Sequence, residues 1–319
     1  MSTKLAPRSP ALPVPSDARM PAIPDRLWAL MAEIGPKWGT NTKGHIQQMI
    51  AEFSKLLADQ PTDGVSVQRD IVYGAHERQT FDVYAPAPGL ATCQAVIFVH
   101  GGAFTEGHRT KTPEIYANAC YYLARHGILA VNMGYRLADS VTFPGVSEDI
   151  GSVVGWTRGN AGKLGIDATK IFLMGHSAGG AHIGTYAYDK RGQPAFGHGL
   201  AGLIVLSGRV RADNLPENPN AKRVEEYYGK DNSKFDDMSS VSHVTKDSLP
   251  TFIACAEFEN PLIDLYCFEL AHKLAAAKRK APPFLWMKGH NHTTTIAVLN
   301  TAEDELGQAI RSFIAETAP

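Results

Sequence analysis

Ser177 stands in a sequence whose residue types suit nucleophilic catalysis. The motif Gly-x-Ser-x-Gly occupies residues 175–179; an apolar run typical of a buried strand precedes it, and a helix-like stretch follows it. Such a strand-to-helix turn is so tight that the serine backbone is strained, and side chains in place of Gly175 and Gly179 would collide with the neighbouring strand and helix. Ser177 Oγ would then project at the top of the sheet, beside a helix N-terminus that stabilises negative charge. The alternative is a chance five-residue match, and the flanking strand, the helix and Gly180 argue against it.

A second motif, His-Gly-Gly-Ala-Phe at residues 100–104, directly follows an unbroken apolar run. Two adjacent glycines let the backbone turn its N–H groups toward the nucleophile, where acyl transfer needs them because charge develops on the former carbonyl oxygen. By its match to the His-Gly-Gly-Gly loop of lipases and esterases, the motif predicts an oxyanion hole formed by the N–H groups of Gly102, Ala103 and Ala178. His100 is expected to orient this loop rather than to act as a catalyst.

Together these motifs resemble the α/β-hydrolase superfamily, and within it the hormone-sensitive-lipase-like carboxylesterases and the arylformamidase-type hydrolases. The resemblance covers residues 65–315. Ala103 departs from it, because the lipase-like branch usually has a third glycine there; since the donor is a backbone N–H, alanine should serve, and the departure favours the formamidase-like branch. The residues between the two motifs that follow the order of those families are Tyr135, Arg136, Leu137, Phe143, Pro144, Asp149 and Trp156.

In this superfamily the triad residues follow the order serine, acid, histidine. The acid is expected in Glu-Phe-Glu-Asn-Pro at residues 257–261, directly after an apolar strand. The lipase-like branch usually has an aspartate just before this proline, where this chain has Asn260, whereas the formamidase-like branch has a carboxylate at the position of Glu259. Asparagine could hold the histidine but could not stabilise its imidazolium charge. Glu259 is therefore the predicted acid, and Glu257 is the alternative.

The general base is expected in Lys-Gly-His-Asn-His-Thr at residues 288–293, a loop at a strand end. His292, which precedes a small residue and the final helix, matches the base of the related families. His290 is expected to shape the loop or to contact the substrate. A His-x-His pair could also bind a metal, but no carboxylate or cysteine cluster is spaced to complete a site, so neither a metal nor a cofactor is predicted.

The candidate triad and oxyanion hole together predict a metal-free serine hydrolase. His292, oriented by Glu259, accepts the proton of Ser177, which attacks the carbonyl carbon, and water then hydrolyses the acyl-enzyme. The expected substrate is a small carboxylic ester, aryl or short-acyl, and the alternative is an N-formyl aryl amide. A non-catalytic binding protein of the same fold is the third hypothesis, which the presence of three triad candidates disfavours. The candidates for substrate contacts are Phe104, His176, Trp28 and His290.

The alternation of strand and helix patterns around these residues predicts an α/β fold. From about residue 65, strand patterns alternate with helical patterns, which implies right-handed crossovers and a mostly parallel sheet covered by helices on both faces. Ligands then bind at the carboxyl ends of the strands. The predicted strands are residues 67–73, 80–84, 95–99, 128–131, 171–174, 203–206, 252–256 and 284–287, and the predicted helices lie near 113–125, 145–160, 178–188, 262–278 and 303–315.

Three segments follow from the same patterns. Residues 65–319 are the predicted catalytic domain, with a loop-rich insertion at 209–247. Residues 1–24 contain too many prolines for regular structure and are expected to form an extended arm, on the surface or on a neighbouring subunit of a homo-oligomer. Residues 25–64 are expected to form helices that act as a lid over the active site, the alternative being packing on the back of the sheet. The lid residues expected in the pocket wall are Leu27, Trp28 and Met31.

Composition places the chain among ordinary globular proteins, because 44% of its 319 residues are hydrophobic and 20% are charged. A formal net charge of -1 gives no electrostatic reason to expect nucleic acid or an anionic membrane as a partner. No apolar run approaches the ~18 residues of a membrane span, and the N-terminus lacks the apolar core of a secretory signal. The four cysteines have no C-x-x-C spacing, so free, mostly buried thiols and a cytoplasmic location are expected.

Overall fold

A computed structural model describes residues 19–319 of the chain. The strands in this range are β1 (Val65–Val72), β2 (Thr80–Pro86), β3 (Ala95–Val99), β4 (Leu129–Met133), β5 (Ile171–His176), β6 (Gly202–Leu206), β7 (Thr251–Phe258) and β8 (Phe284–Asn291). The α-helices are α1 (Asp25–Ile34), α2 (Thr42–Leu57), α3 (Ala117–Arg125), α4 (Val146–Gly159), α5 (Ala161–Leu164), α6 (Ala178–Tyr188), α7 (Ala221–Tyr228), α8 (Phe235–Met238), α9 (Ile263–Lys278), α10 (Thr294–Ala297) and α11 (Glu305–Thr317).

The strands of the described range form one eight-stranded sheet in the order β1-β2-β4-β3-β5-β6-β7-β8. The pairs from β4 to β8 are parallel, and β2 pairs antiparallel with both β1 and β4. The predicted mostly parallel sheet is thereby confirmed. Because the carboxyl ends of parallel strands meet at one edge, the segments that follow β3, β5, β6, β7 and β8 come together there.

The unbroken apolar run of β3 is explained by burial on both faces of the sheet. Val96 and Phe98 belong to one hydrophobic cluster, and the alternate residues Ala95, Ile97 and Val99 belong to the other. Successive side chains of a strand point to opposite faces, so a strand in the middle of a two-sided sheet has to be apolar throughout. Helices α4, α6 and α9 contribute to the cluster that contains Ala95, Ile97 and Val99, and α1, α2, α3 and α11 contribute to the cluster that contains Val96 and Phe98.

The helices before the sheet pack against the domain through the apolar stripe seen in the sequence. In α2 the buried residues Met49, Phe53 and Leu57 lie at helical spacing, and in α1 Leu27 and Met31 are fully buried in the same cluster. A 3₁₀ turn over Gly35–Asn41 joins the two helices. Since an isolated helix of this length is marginal in water, the contact with the domain is what stabilises them.

The segment at 209–247, predicted to be a loop-rich insertion, also contains helices. Helices α7 and α8 lie within it. The reason is tertiary: Val224, Tyr227 and Tyr228 are buried on one side of α7, in contact with the main core. In a sequence this polar, three apolar residues on one turn carry little signal on their own.

Three further predictions concern the N-terminal arm, membrane-spanning helices and the cysteines. Residues 1–18, most of the predicted extended arm, lie outside the described residues. Between residues 19 and 319, no helix combines the length and apolar character needed to cross a membrane. All four cysteines are free, with Cys93 exposed and Cys120, Cys255 and Cys267 buried.

Candidate active site

Ser177 occupies a strained turn between β5 and α6. Its φ of 56° and ψ of -119° lie in a region that side chains rarely adopt. An added Cβ at Gly175 would come within 2.5 Å of the Gly179 carbonyl oxygen, and one at Gly179 would overlap the Val99 carbonyl oxygen of β3. The two glycines are therefore required by close backbone approach, and the serine hydroxyl stands at the start of a helix whose N-terminus favours negative charge.

Ser177, His292 and Glu259 form a continuous chain of hydrogen bonds. His292 Nε2 lies 3.0 Å from Ser177 Oγ, and His292 Nδ1 lies 2.5 Å from Glu259 Oε2. Both His292 and Glu259 are buried. With its proton on Nδ1 donated to the carboxylate, the imidazole presents Nε2 as an acceptor for the serine proton. This arrangement can activate the hydroxyl as a nucleophile.

The second oxygen of Glu259 is held by two further donors. Glu259 Oε1 accepts a hydrogen bond of 2.5 Å from Ser207 Oγ and one of 2.9 Å from the Ala256 N–H. Ser207 also lies 2.9 Å from Thr295 Oγ1, which in turn donates to the His292 carbonyl oxygen at 2.8 Å. The sequence reasoning missed Ser207, although its position directly after β6 places it at the active edge of the sheet and could have identified it.

The alternative acid Glu257 and the neighbouring Asn260 form hydrogen bonds to residues other than His292. Glu257 Oε2 accepts a hydrogen bond of 2.7 Å from the Gly289 N–H, so its carboxylate braces the loop that leads to His292. Asn260 Oδ1 accepts a hydrogen bond of 2.8 Å from Trp38 Nε1 in the segment between α1 and α2. Of the three polar residues between 257 and 260, Glu259 is the one that reaches His292.

The loop after β3 approaches Ser177 through consecutive residues with positive φ. Gly102 has a φ of 145°, and a Cβ added there would overlap the Glu106 carbonyl oxygen. Ala103 has a φ of 49°, which costs an alanine about 1–2 kcal/mol relative to the right-handed region. Neither N–H donates to a backbone carbonyl anywhere in residues 19–319. Both are thus available to a ligand oxygen, as an oxyanion hole requires.

Aromatic packing and hydrogen bonds hold this loop. His100 stacks on Tyr135 with ring centroids 4.3 Å apart, and the Tyr135 hydroxyl donates to the His100 carbonyl oxygen at 2.7 Å. Burial lowers the pKa of His100 well below its ordinary value, so the ring is neutral and structural. Phe104 is fully buried, stacked on Tyr227 at 5.2 Å and edge-on to His182. Although it was predicted to contact the substrate, it does not line the cavity over Ser177; it anchors the loop in the core.

A cavity of about 600 Å³, measured with its open mouth, lies over Ser177. Its floor is formed by Ser177, His292 and the glycine loop, and one wall is formed by Ile46 and Ile50 of α2. Among the predicted site residues, those that line it are Gly102, Ala103, His176, Ser177 and His292. Ala178 begins α6 next to the nucleophile, and Glu259 lies behind His292.

His176 lines the cavity and also supports the loop of the candidate base. Its Nε2 donates a hydrogen bond of 3.0 Å to the His292 carbonyl oxygen. Burial lowers the pKa of His176 well below the ordinary histidine value, and the nearby His292 adds to this effect, so the ring is neutral. Its buried Nδ1 has no hydrogen-bond partner within the described range.

Trp28 and His290 lie together outside the cavity. Their rings meet edge to face with centroids 5.3 Å apart, and His290 Nδ1 is 3.2 Å from Thr294 Oγ1. Leu27 and Met31 are fully buried in the core below them. The structure thus places Trp28 and His290, which were predicted to contact the substrate, and α1, which was predicted in the pocket wall, outside the lining of this cavity. Because the 3₁₀ turn redirects the chain, α2 rather than α1 reaches the mouth.

The part of the chain that the structure describes contains no group of three or more histidine, cysteine, aspartate or glutamate side chains arranged to bind a metal ion. His290 and His292 point to different partners, Thr294 and Glu259.

Comparison with known proteins places this geometry in context. A model of the family described as BD-FAE matches residues 81–193, about a third of the chain. The versiconal hemiacetal acetate esterase of Dothistroma septosporum is 28% identical over 277 residues, covering 77% of this chain and 82% of that protein. The probable isoprenylcysteine alpha-carbonyl methylesterase of Arabidopsis thaliana is 32% identical over 121 residues, which cover 38% of this chain and 28% of the plant protein. This chain thus spans little more than a quarter of the plant relative.

Among solved structures, an inhibited form of esterase B from Lactobacillus rhamnosis superposes with a TM-score of 0.69 at 21% sequence identity. The match covers 90% of this chain and 96% of that one. At this identity the likeness establishes the fold, including the parallel sheet and its helices on both faces.

Proposed function

We propose that the chain is a serine esterase of the α/β-hydrolase superfamily, which it resembles in sequence and fold, and that it cleaves small carboxylic esters through an acyl-enzyme. The observation that carries the proposal is the hydrogen-bonded chain from Ser177 through His292 to Glu259 beneath a cavity. The relatives are esterases by name, which favours an ester over an amide as the substrate.

In the proposed mechanism, His292 Nε2 takes the Ser177 proton as Oγ attacks the ester carbonyl carbon. The oxyanion of the tetrahedral intermediate accepts hydrogen bonds from the Gly102, Ala103 and Ala178 N–H groups. Glu259 stabilises the imidazolium formed in this step, which then protonates the departing alkoxide. Water, deprotonated by His292, attacks the acyl-enzyme and releases the acid.

Hydrolysis of p-nitrophenyl esters of graded acyl length, measured beside an N-formyl arylamine, tests the proposal. We expect turnover of the short-chain esters and much weaker turnover of the formamide. The reverse order would favour the arylformamidase-type alternative. Two features support that alternative: the pairing of His292 with Glu259 and the presence of Ala103 in the loop. No turnover of either substrate would contradict the proposed activity.

The glycine loop offers a matched pair of variants for the proposed oxyanion hole. Gly102→Ala places a Cβ on the Glu106 carbonyl oxygen, so the loop has to move and a donor is misaligned; we expect kcat to fall by about 10²–10³. Ala103→Gly removes a strained alanine at φ 49° and keeps the N–H, so kcat should change by no more than a few-fold. Steady-state kinetics on p-nitrophenyl butyrate compares the two, and equal losses would argue against the assigned donors.

We further propose that α2 acts as the lid of this site and limits substrate size. Removing residues 1–40 would not test this cleanly, because Leu27 and Met31 are fully buried and losing such side chains costs about 2–5 kcal/mol each, a large part of the ~5–15 kcal/mol of a typical domain. Substitutions at the cavity wall test the role of α2 more directly. Ile50→Trp should depress kcat/KM for long acyl chains more than for acetate, whereas Ile50→Ala should do the opposite.

Gln48→Trp is the control for the lid, since Gln48 is exposed on the same helix and does not line the cavity. Its acyl-length profile should match that of the unaltered protein. If Ile50→Trp also left the profile unchanged, α2 would have only a packing role.

A further inference from the structure

The outer part of the cavity over Ser177 is lined by charged side chains that the proposed mechanism does not use. Lys111 and Glu106 come from the loop after β3, and Arg223 comes from α7. The same three residues line a groove that continues from the cavity to the surface between α2 and Asn220, and Lys43 of α2 joins them there. A substrate whose ester reaches Ser177 would extend past these groups.

Two of the charges neutralise each other. Arg223 Nη1 lies 2.7 Å from Glu106 Oε1, and Arg223 Nη2 donates to Glu106 Oε2 at 3.1 Å. The hydrogen bonds from Arg223 are the main cause of a lowered pKa at Glu106, so the carboxylate is ionised. Because both of its oxygens are engaged by the guanidinium, this carboxylate has little capacity left for another cation.

Lys111 is the remaining cation of the cavity wall. No aspartate or glutamate of residues 19–319 lies within 4 Å of its ammonium group in an ion pair. It is half-buried, and burial lowers its pKa, an effect that the Glu106 carboxylate opposes and the Arg223 guanidinium reinforces. Its backbone is fixed by a hydrogen bond of 3.1 Å from the Lys111 N–H to the Ile115 carbonyl oxygen.

The balance of charge around the cavity mouth is therefore positive. Glu106 is offset by Arg223, whereas Lys111 and the more distant Lys43 have no acidic partner within ion-pair distance in the described part of the chain. His176, on the other side, is neutral. A desolvated ammonium group that has no ion-pair partner is stabilised by an incoming anion, and a charge-assisted hydrogen bond there is stronger than one in water.

We propose that Lys111 selects esters that carry a carboxylate at a distance from the ester bond, so that the natural substrate is a hemiester of a dicarboxylic acid or an ester of a carboxylated alcohol. This inference rests on the proposed esterase function and names its substrate class. Lys111 is a binding residue in it: the substrate carboxylate accepts hydrogen bonds from the ammonium group while the ester carbonyl lies at Ser177.

Two pairs of substrates distinguish which side of the ester bears the anion. For the acyl side, the 4-nitrophenyl hemiesters of succinic, glutaric and adipic acid are compared with the neutral 4-nitrophenyl esters of equal chain length. For the alcohol side, 4-acetoxybenzoate is compared with 4-acetoxybenzamide. We expect kcat/KM to favour the anionic member by about tenfold or more in one of the two series, as a hydrogen bond to a charged group implies. No preference in either series would overturn the inference while leaving the esterase proposal intact.

Lys111→Met is expected to lower the anionic-to-neutral ratio of kcat/KM by about ten- to a hundredfold, with little change for the neutral ester. Lys222→Met is the control: Lys222 is exposed on α7, does not line the cavity, and its loss changes the net charge of the protein equally. If both variants lowered the ratio alike, the preference would come from the overall field rather than from Lys111. If neither did, the assignment of Lys111 would be wrong.

The pH dependence of KM gives an independent readout. The substrate carboxylate is ionised above about pH 5, and Lys111 is protonated below its lowered pKa. KM for the anionic ester should therefore rise as the pH passes upward through that pKa, whereas KM for the neutral ester should not follow, and Lys111→Met should abolish the difference. Parallel profiles for the two esters would contradict the inference. Loss of turnover with every ester would instead refute the esterase proposal and the inference with it.

Discussion

Replacing Ser177 by alanine is expected to lower kcat on p-nitrophenyl butyrate by about 10⁴–10⁶. The serine hydroxyl is the nucleophile of the proposed mechanism, and no other hydroxyl is hydrogen-bonded to His292 Nε2 among the described residues. The variant should retain its fold, because alanine at φ 56° carries the same backbone strain as serine and the side chain contributes one hydrogen bond. A fluorophosphonate probe should label the unaltered protein at Ser177 and should not label the variant.

Ser207→Ala is the control for this substitution. Ser207 donates to Glu259, which keeps its hydrogen bond from the Ala256 N–H, so a loss of about tenfold is expected, in line with one hydrogen bond. Turnover that persisted in Ser177→Ala at a rate near that of Ser207→Ala would defeat the proposed mechanism.

The second large effect is expected at the base and the acid. His292→Ala removes the group that accepts the serine proton and should cost kcat about as much as loss of the serine, because these residues act as a unit. Glu259→Gln keeps a hydrogen-bonding side chain beside His292 Nδ1 but cannot stabilise the imidazolium, so a loss of about 10³–10⁴ is expected. Both variants are to be compared at the pH optimum of the unaltered protein.

Neighbouring polar residues provide the controls for that pair. Glu257→Gln leaves an amide able to accept from the Gly289 N–H, and it should reduce kcat by less than tenfold. Asn260→Asp changes a group bonded to Trp38 and should not raise activity. A strong gain in Asn260→Asp would mean that the acid had been assigned one residue too early.

The motifs around Ser177 and in the loop after β3 could be interpreted from the sequence because their chemistry depends on short-range geometry. A glycine at 175, 179 or 102 is required by atoms within a few ångströms along or beside the same turn, and the flanking apolar runs identify the strands. The mostly parallel pairing of the strands followed from the alternation of strand and helix patterns, since that alternation implies right-handed crossovers. The fold class and the edge of the sheet that holds the site were thus set by local pattern.

The sequence left open which of several nearby residues with similar local patterns would reach the active site. Glu257 and Glu259 are two residues apart on the same strand end, and only the path of the β8 loop brings Glu259 to His292 and Glu257 to Gly289. Phe104 follows the glycine loop as a substrate contact would, yet it points into the aromatic cluster with Tyr227.

Only the tertiary structure determined which helix and which charged residues line the cavity. Helices α1 and α2 are similarly amphipathic, but a 3₁₀ turn at Gly35–Asn41 changes the chain direction between them. Leu27 and Met31 of α1 are therefore buried in the core, whereas Ile46 and Ile50 of α2 line the cavity. In the sequence, Lys111 is a single charge in a loop. In the structure, Arg223 pairs with Glu106 although it is over a hundred positions later, and Lys111 has no ion-pair partner among residues 19–319. Spacing along the chain determines local backbone geometry, whereas side-chain environment depends on residues distant in sequence, and only the packed structure brings those together.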